Sequence, residues 1–166
     1  MSVIGLDLGH TTTVEAEHWL AYLPPVPGLV ACTHFGAGRV LITLDGFDPS
    51  RLPPDTGVAG PEGAAAEVVR RHADGTGGRA VRYPGVESLV GTLRVDEVFA
   101  GTAIERVLVL GLPDRPDAAP DAILDTRPFV RPQWMDGRLT LLAMPAAGGH
   151  IVPFEVPNPT PCCADH

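Results

Sequence analysis

The chain has no lysine. All 12 of its cationic side chains are arginine, and against 20 aspartates and glutamates they leave a formal charge of −8. With no basic run either, the sequence lacks the electrostatic footprint that holds a protein on a phosphate backbone, so nucleic acid is not an expected partner. No window approaches the roughly 18 consecutive apolar residues of a membrane-crossing helix. No basic segment precedes an apolar stretch in the manner of an export signal, so a cytoplasmic location is expected. The three cysteines, two of them adjacent, do not make the disulfide framework of a small secreted protein. Serine is scarce, and Ser2, Ser50 and Ser88 sit in no Gly-x-Ser-x-Gly turn, which disfavours acyl hydrolysis. The histidines, His10, His18, His34, His72, His150 and His166, show none of the paired helical spacings of a metalloprotease.

What is present is a globular composition. Hydrophobic residues make up 45% and charged residues 19% of the 166 positions, enough for one domain with a core of its own. Aromatics reach only 5%, so that core must rest on valine, leucine, isoleucine and alanine. Glycine (19) and proline (18) cut the chain into short elements and argue against a helical bundle. The expected fold is an α+β domain with a mostly antiparallel sheet of about six to eight strands and one or two helices. It should span residues 1–156, with 157–166 as a Pro-rich tail.

Residues 2–8 predict a first strand, and Thr12 with Glu15 has the spacing of a capping box for a helix that Pro24 and Pro25 would end. The same stretch, "HWLAYL", also alternates as a strand would. "GLVACTHF" and "GRVLITLDGF" predict two strands joined at Gly36–Gly38. "PEGAAAEVVRRHADG" predicts a helix opened by Pro61, with Ala65, Val68, Val69 and His72 on the face that meets the sheet. "SLVGTLRVDEVFAGTAIERVLVLGL" predicts two strands around residues 100–102, the second apolar enough to be central. "GRLTLLAMPAAGGHIVPFEV" predicts a hairpin turning near Gly148 and Gly149, at a sheet edge because of Pro145 and Pro153.

The stretch "IGLDLGHTTT" resembles the first phosphate-binding loop of the actin, Hsp70 and sugar-kinase superfamily. That resemblance implies a metal-holding Asp7 and small residues around phosphates. The family also needs two lobes and further phosphate and adenosine motifs, and this sequence shows neither. The single-lobed RNase H-like nuclease fold fits the length, and its chemistry would pair Asp7 with Asp125 from "ILDTR" around a metal.

The tail, "VPNPTPCCADH", places Cys162, Cys163 and His166 within five positions, and thiolate and imidazole are ligands that soft or borderline metals select. "CCAD" resembles the vicinal-cysteine end of mercuric reductases, and "PCCADH" resembles the Cys-x-x-Cys-x-x-His end of nickel-iron hydrogenase large subunits. A zinc, copper or nickel ion is the implied cofactor. Adjacent cysteines diverge, so a complete site would need Cys32 and His34 from "ACTHF" as well.

"DTRPFVRPQWMDG" mixes Arg127, Arg131, Trp134 and Asp136 between prolines. Such a segment suits an anion clamp, and it suits a protein interface better, since Trp, Phe, Met and Arg are enriched at contacts. The first functional expectation is therefore an accessory or assembly subunit that works through a protein partner or a second copy of itself. The alternatives are metal or thiol handling at the tail and, last, a metal-dependent enzyme of the RNase H type.

Overall fold

The computed structural model describes residues 2–58, 62–114 and 116–157. It is an α+β domain built on one mixed, mostly antiparallel sheet of ten strands with three helices. The strands are β1 (Ile4–Leu6), β2 (Val30–Gly36), β3 (Arg39–Asp45), β4 (Arg79–Arg82), β5 (Thr92–Arg94), β6 (Arg106–Val109), β7 (Ile123–Asp125), β8 (Gln133–Met135), β9 (Arg138–Pro145) and β10 (Ile151–Pro153). Their order is β1-β3-β2-β4-β8-β9-β10-β7-β5, with β6 paired in parallel to β9. The helices are α1 (Thr13–Ala21), α2 (Ala64–Ala73) and α3 (Val95–Gly101). Half of the strands are only three residues long, which is how ten fit where composition suggested six to eight.

The Thr12 and Glu15 spacing forms a full capping box, and it decides the helical reading of "HWLAYL". Side-chain parity in the β2–β3 hairpin places the two long helices on opposite faces. Ala31, Ile42 and Leu44 meet Ala16 and Leu20 of α1, while Thr43 points to the other face and meets His72 of α2. Leu20 has no exposed surface, and burying such a side chain contributes roughly 1.5–3 kcal/mol. The second core lies under the C-terminal half, where Val95 and Val98 of α3 pack with Val107, Leu124, Leu139 and Leu141.

Three expectations are corrected. Helix α2 starts at Ala64 and not at Pro61, because Gly63 takes a left-handed φ of 81° that no helix continues through. Residues 95–101 form helix α3 and not a strand, because Glu97 reaches back to the Arg94 N–H at 2.7 Å and opens a helical turn. Strand β6 is not central: apart from β9, it meets only the loop, where the Val109 N–H donates to Pro116 O and the Ala118 N–H to Val107 O. Its apolar composition reflects cover on its faces. The β9–β10 hairpin, conversely, lies inside the sheet, and Pro145 and Pro153 are tolerated because each ends its strand.

Two glycines test how tightly the halves are fitted. Gly85 has φ +81°, and a Cβ there would stand 2.0 Å from the Gly101 carbonyl oxygen at the end of α3, whereas Gly9 has φ +75° and open space. Gly9→Ala should cost about 1 kcal/mol, the conformational penalty alone, and Gly85→Ala at least about 3 kcal/mol. Urea unfolding midpoints of the two variants check the difference, and equal midpoints would contradict the packing described.

Candidate functional site

The N-terminal turn is already occupied by an anion of the chain's own. Glu15 accepts from the Thr11 N–H at 2.7 Å and the Thr12 N–H at 3.1 Å. These are the donors a phosphate would require, and they hold the Glu15 carboxyl below the usual carboxylate range. Asp7 is turned onto Arg39 at 3.1 Å and onto the Gly9 N–H at 3.2 Å. Asp125 lies on β7, separated from β1 by six strands in the sheet order, and is paired with Arg127 at 3.7 Å. The two carboxylates therefore do not share a metal, and the phosphate-loop resemblance ends at the strand and turn.

Cys32 and His34 do share one face of β2. Cys32 is fully buried, and burial pushes its thiol up, so no thiolate is ready there for a metal. No three His, Cys, Asp or Glu side chains among the described residues converge as a metal set. Cys162, Cys163 and His166 lie outside the described residues.

His34 instead belongs to a buried hydrogen-bond chain. Its Nε2 lies 2.7 Å from Thr43 Oγ1, and that oxygen lies 2.7 Å from His72 Nδ1. One hydroxyl has one proton, so Thr43 can donate to only one of the two imidazoles, and any ring that accepts from it is neutral. Burial, with the charges of His72 and Arg71, pushes His34 down to about 3. Burial also lowers His72, against the pull of Asp45. Thr43, His72 and Asp45 have the residue types of a nucleophile, base and acid, but Thr43 has no exposed surface for a substrate to reach. Their role is to join α2 to the hairpin.

A concavity of about 840 Å³ runs between α1, β4, the loop around Phe129 and the segment that leaves β10 at Phe154–Pro157. Its floor is an ion network. Glu17 accepts from Arg79 Nη1 and from Arg131 Nη2, each at 2.6 Å, and Arg79 Nε donates to Glu155 at 2.5 Å. Phe129 lies beneath both guanidinium groups, 4.2 Å from Arg131 and 5.7 Å from Arg79. Burial alone would raise the Glu17 carboxyl, but the hydrogen bonds and charges of Arg131 and Arg79 hold it below the ordinary range. Arg82 closes one end by donating to Leu20 O at 3.1 Å and Leu23 O at 2.8 Å, where the carbonyls of α1 run out. The walls are apolar, and Val14 (72% exposed), Phe154 (55%) and Val156 (44%) stand open to solvent.

The segment that sequence reading singled out is divided among separate places. Arg131 enters the groove, Trp134 packs 5.9 Å from the His72 ring, and Arg127 and Asp136 sit on positive-φ turns. Glu17, Arg79 and Glu155 were missed, because they lie 62 and 76 positions apart and look like ordinary surface charges in sequence. The one available signal was Glu17, a second glutamate on α1 beyond the capping Glu15 and next to the buried Ala16. No family model matches the chain, and neither a curated protein nor a solved structure matches it. Any functional reading therefore rests on these geometries.

Two measurements follow from the buried groups. An imidazole held well below its unfolded value of 6.5 contributes stability that is complete above pH 6.5 and is lost as pH falls towards 3. The urea midpoint should therefore drop between pH 7.5 and 4.5, and His34→Gln should lower it at pH 7.5 while flattening the profile. An unchanged slope in the variant would contradict the assignment. Removing Glu17 leaves two guanidinium groups that are only 14% and 15% exposed without their shared carboxylate. Glu17→Ala should cost roughly 2–4 kcal/mol by thermal or urea unfolding, after allowance for partial exposure.

Proposed function

We propose that the chain is an accessory or assembly subunit that acts by protein–protein contact, and that its groove takes an acidic, amphipathic segment of a partner protein. The carrying observation is a local reversal of charge. Three arginines, Arg79, Arg82 and Arg131, face two carboxylates, Glu17 and Glu155, in the groove of a chain whose net charge is −8. An acidic segment is thus drawn to the groove and not repelled by it.

The apolar walls supply the rest of the preference. Val14, Phe154 and Val156 are exposed around a concavity, an arrangement that marks interaction surfaces more than isolated apolar residues do. The floor brings two half-buried arginines and an aromatic ring, the residue types enriched where interfaces concentrate their energy. Because Glu17 and Glu155 already neutralise most of that charge, binding draws on apolar burial, and electrostatics selects the partner's sign.

The test uses synthetic amphipathic 12-residue peptides in fluorescence anisotropy, one with glutamates between leucines and phenylalanines and one with lysines in place of the glutamates. The acidic peptide should bind saturably and the basic one should not. Val14→Asp or Phe154→Asp should weaken binding at least tenfold, while Val90→Asp, at a position 73% exposed outside the groove, should leave it unchanged. Equal binding of both peptides, or equal loss in all three variants, overturns the reading.

A further inference from the structure

A second cleft, of about 510 Å³, opens where β2, the start of β4 and β8 meet. Among the described residues no carboxylate lines it, although the chain carries 20 of them. Two arginines do. Arg79 has its guanidinium committed to Glu17 and Glu155, which leaves Arg71 as the cation the cleft can use. Among the described residues Arg71 takes part in no ion pair.

Three features place Arg71 and its neighbours as a polar end. Thr76 ties the loop back onto α2 through its N–H, 2.8 Å from Arg71 O. Gly77 lies directly against the guanidinium, since a Cβ there would stand 2.5 Å from Arg71 Nη2. Gly78, at φ +121°, leaves room for His34 in the same way, since a Cβ would stand 2.7 Å from its Cε1. His34 is 4% exposed and lines the cleft, and Thr43 holds its Nε2, so Nδ1 is the ring nitrogen left for a ligand. When Thr43 donates to Nε2, Nδ1 carries the proton and His34 is a neutral donor. The Gln133 side chain adds an amide to the same lining.

The opposite walls are apolar, formed by Phe35, Trp134, Met135 and Leu142. Phe35 is 72% exposed.

We propose that this cleft binds a small organic anion with one carboxylate head and a flat apolar body. One uncommitted guanidinium matches one negative charge, and its planar fork matches a carboxylate. A phosphate monoester near its full charge would leave roughly one charge unbalanced. The aromatic and thioether walls suit a ring, and the volume is that of a small-ligand pocket. The cleft borders the peptide groove at Arg79, which lines both, and differs from it in Arg71, which only the cleft contains.

The test is titration of the full chain followed by two-dimensional ¹H–¹⁵N NMR, with benzoate, phenyl phosphate and benzylamine as probes. Benzoate should shift the Trp134 indole N–H and the Gly77 and Gly78 amides saturably, and benzylamine should leave them in place. Arg71→Met should weaken benzoate at least tenfold, the loss expected of a charge-assisted contact. Arg71 is exposed, so this variant should keep the wild-type unfolding temperature, and that control separates lost binding from lost folding. No saturable shift, equal binding to Arg71→Met, tighter binding of phenyl phosphate, or shifts at Val14 and Phe154 in place of the cleft would each overturn the proposal. The first three outcomes leave the peptide-groove reading untouched, and the last would place the anion in that groove.

Discussion

The carboxylate of Glu17 ties the molecule together. It stands on the first helix and accepts from Arg79, 62 positions on, and from Arg131, 114 positions on, while Arg79 reaches Glu155 at the far end of the described chain. The two hydrophobic clusters belong to different halves of the sequence, and this network is where the halves are joined by charge. A buried pair of this kind is a poor source of net stability, because desolvating the ions offsets most of their attraction. What it does supply is geometry, since two guanidinium groups and one carboxylate allow few arrangements.

That geometry creates the groove. Arg131 pulls the Phe129 loop over β4, and Arg79 brings in the segment after β10, so apolar residues from three distant stretches become one wall. On the opposite face, the His34–Thr43–His72 chain plays the corresponding part by fixing α2 on the hairpin through neutral hydrogen bonds. The contrast follows from solvent. The Glu17 side faces an open concavity in which charge is tolerated, whereas Thr43 has no exposed surface and its partners must stay uncharged.

The protein is thus a strongly acidic body with two places where positive charge is kept. In the groove that charge is mostly spent on internal carboxylates, which leaves an apolar surface with a sign preference. In the cleft beside His34 it is unspent, because no acidic residue among the described ones lines it. The ligands proposed for them differ accordingly, a chain segment for the first and a small anion for the second.

Local signals were legible before the structure. The Thr12–Glu15 box, the β2–β3 and β9–β10 hairpins, the buried stripe Ala65, Val68 and His72, and the mostly antiparallel α+β class all follow from spacing, turn residues and side-chain parity within a few positions. What misled was also local: "VDEVFAG" is apolar enough for a strand, and only the reach of Glu97 back to Arg94 makes it a helix. Tertiary structure decided where strands sit in the sheet and which charges meet. It set β6 at an edge and the β9–β10 hairpin inside, it sent Asp7 and Asp125 to opposite parts of the sheet, and it gathered Glu17, Arg79, Arg131 and Glu155. The physical reason is that propensity and periodicity act over one or two turns of chain. Burial and ion pairing act through space, and a sequence of short strands has many ways to bring the same charges together.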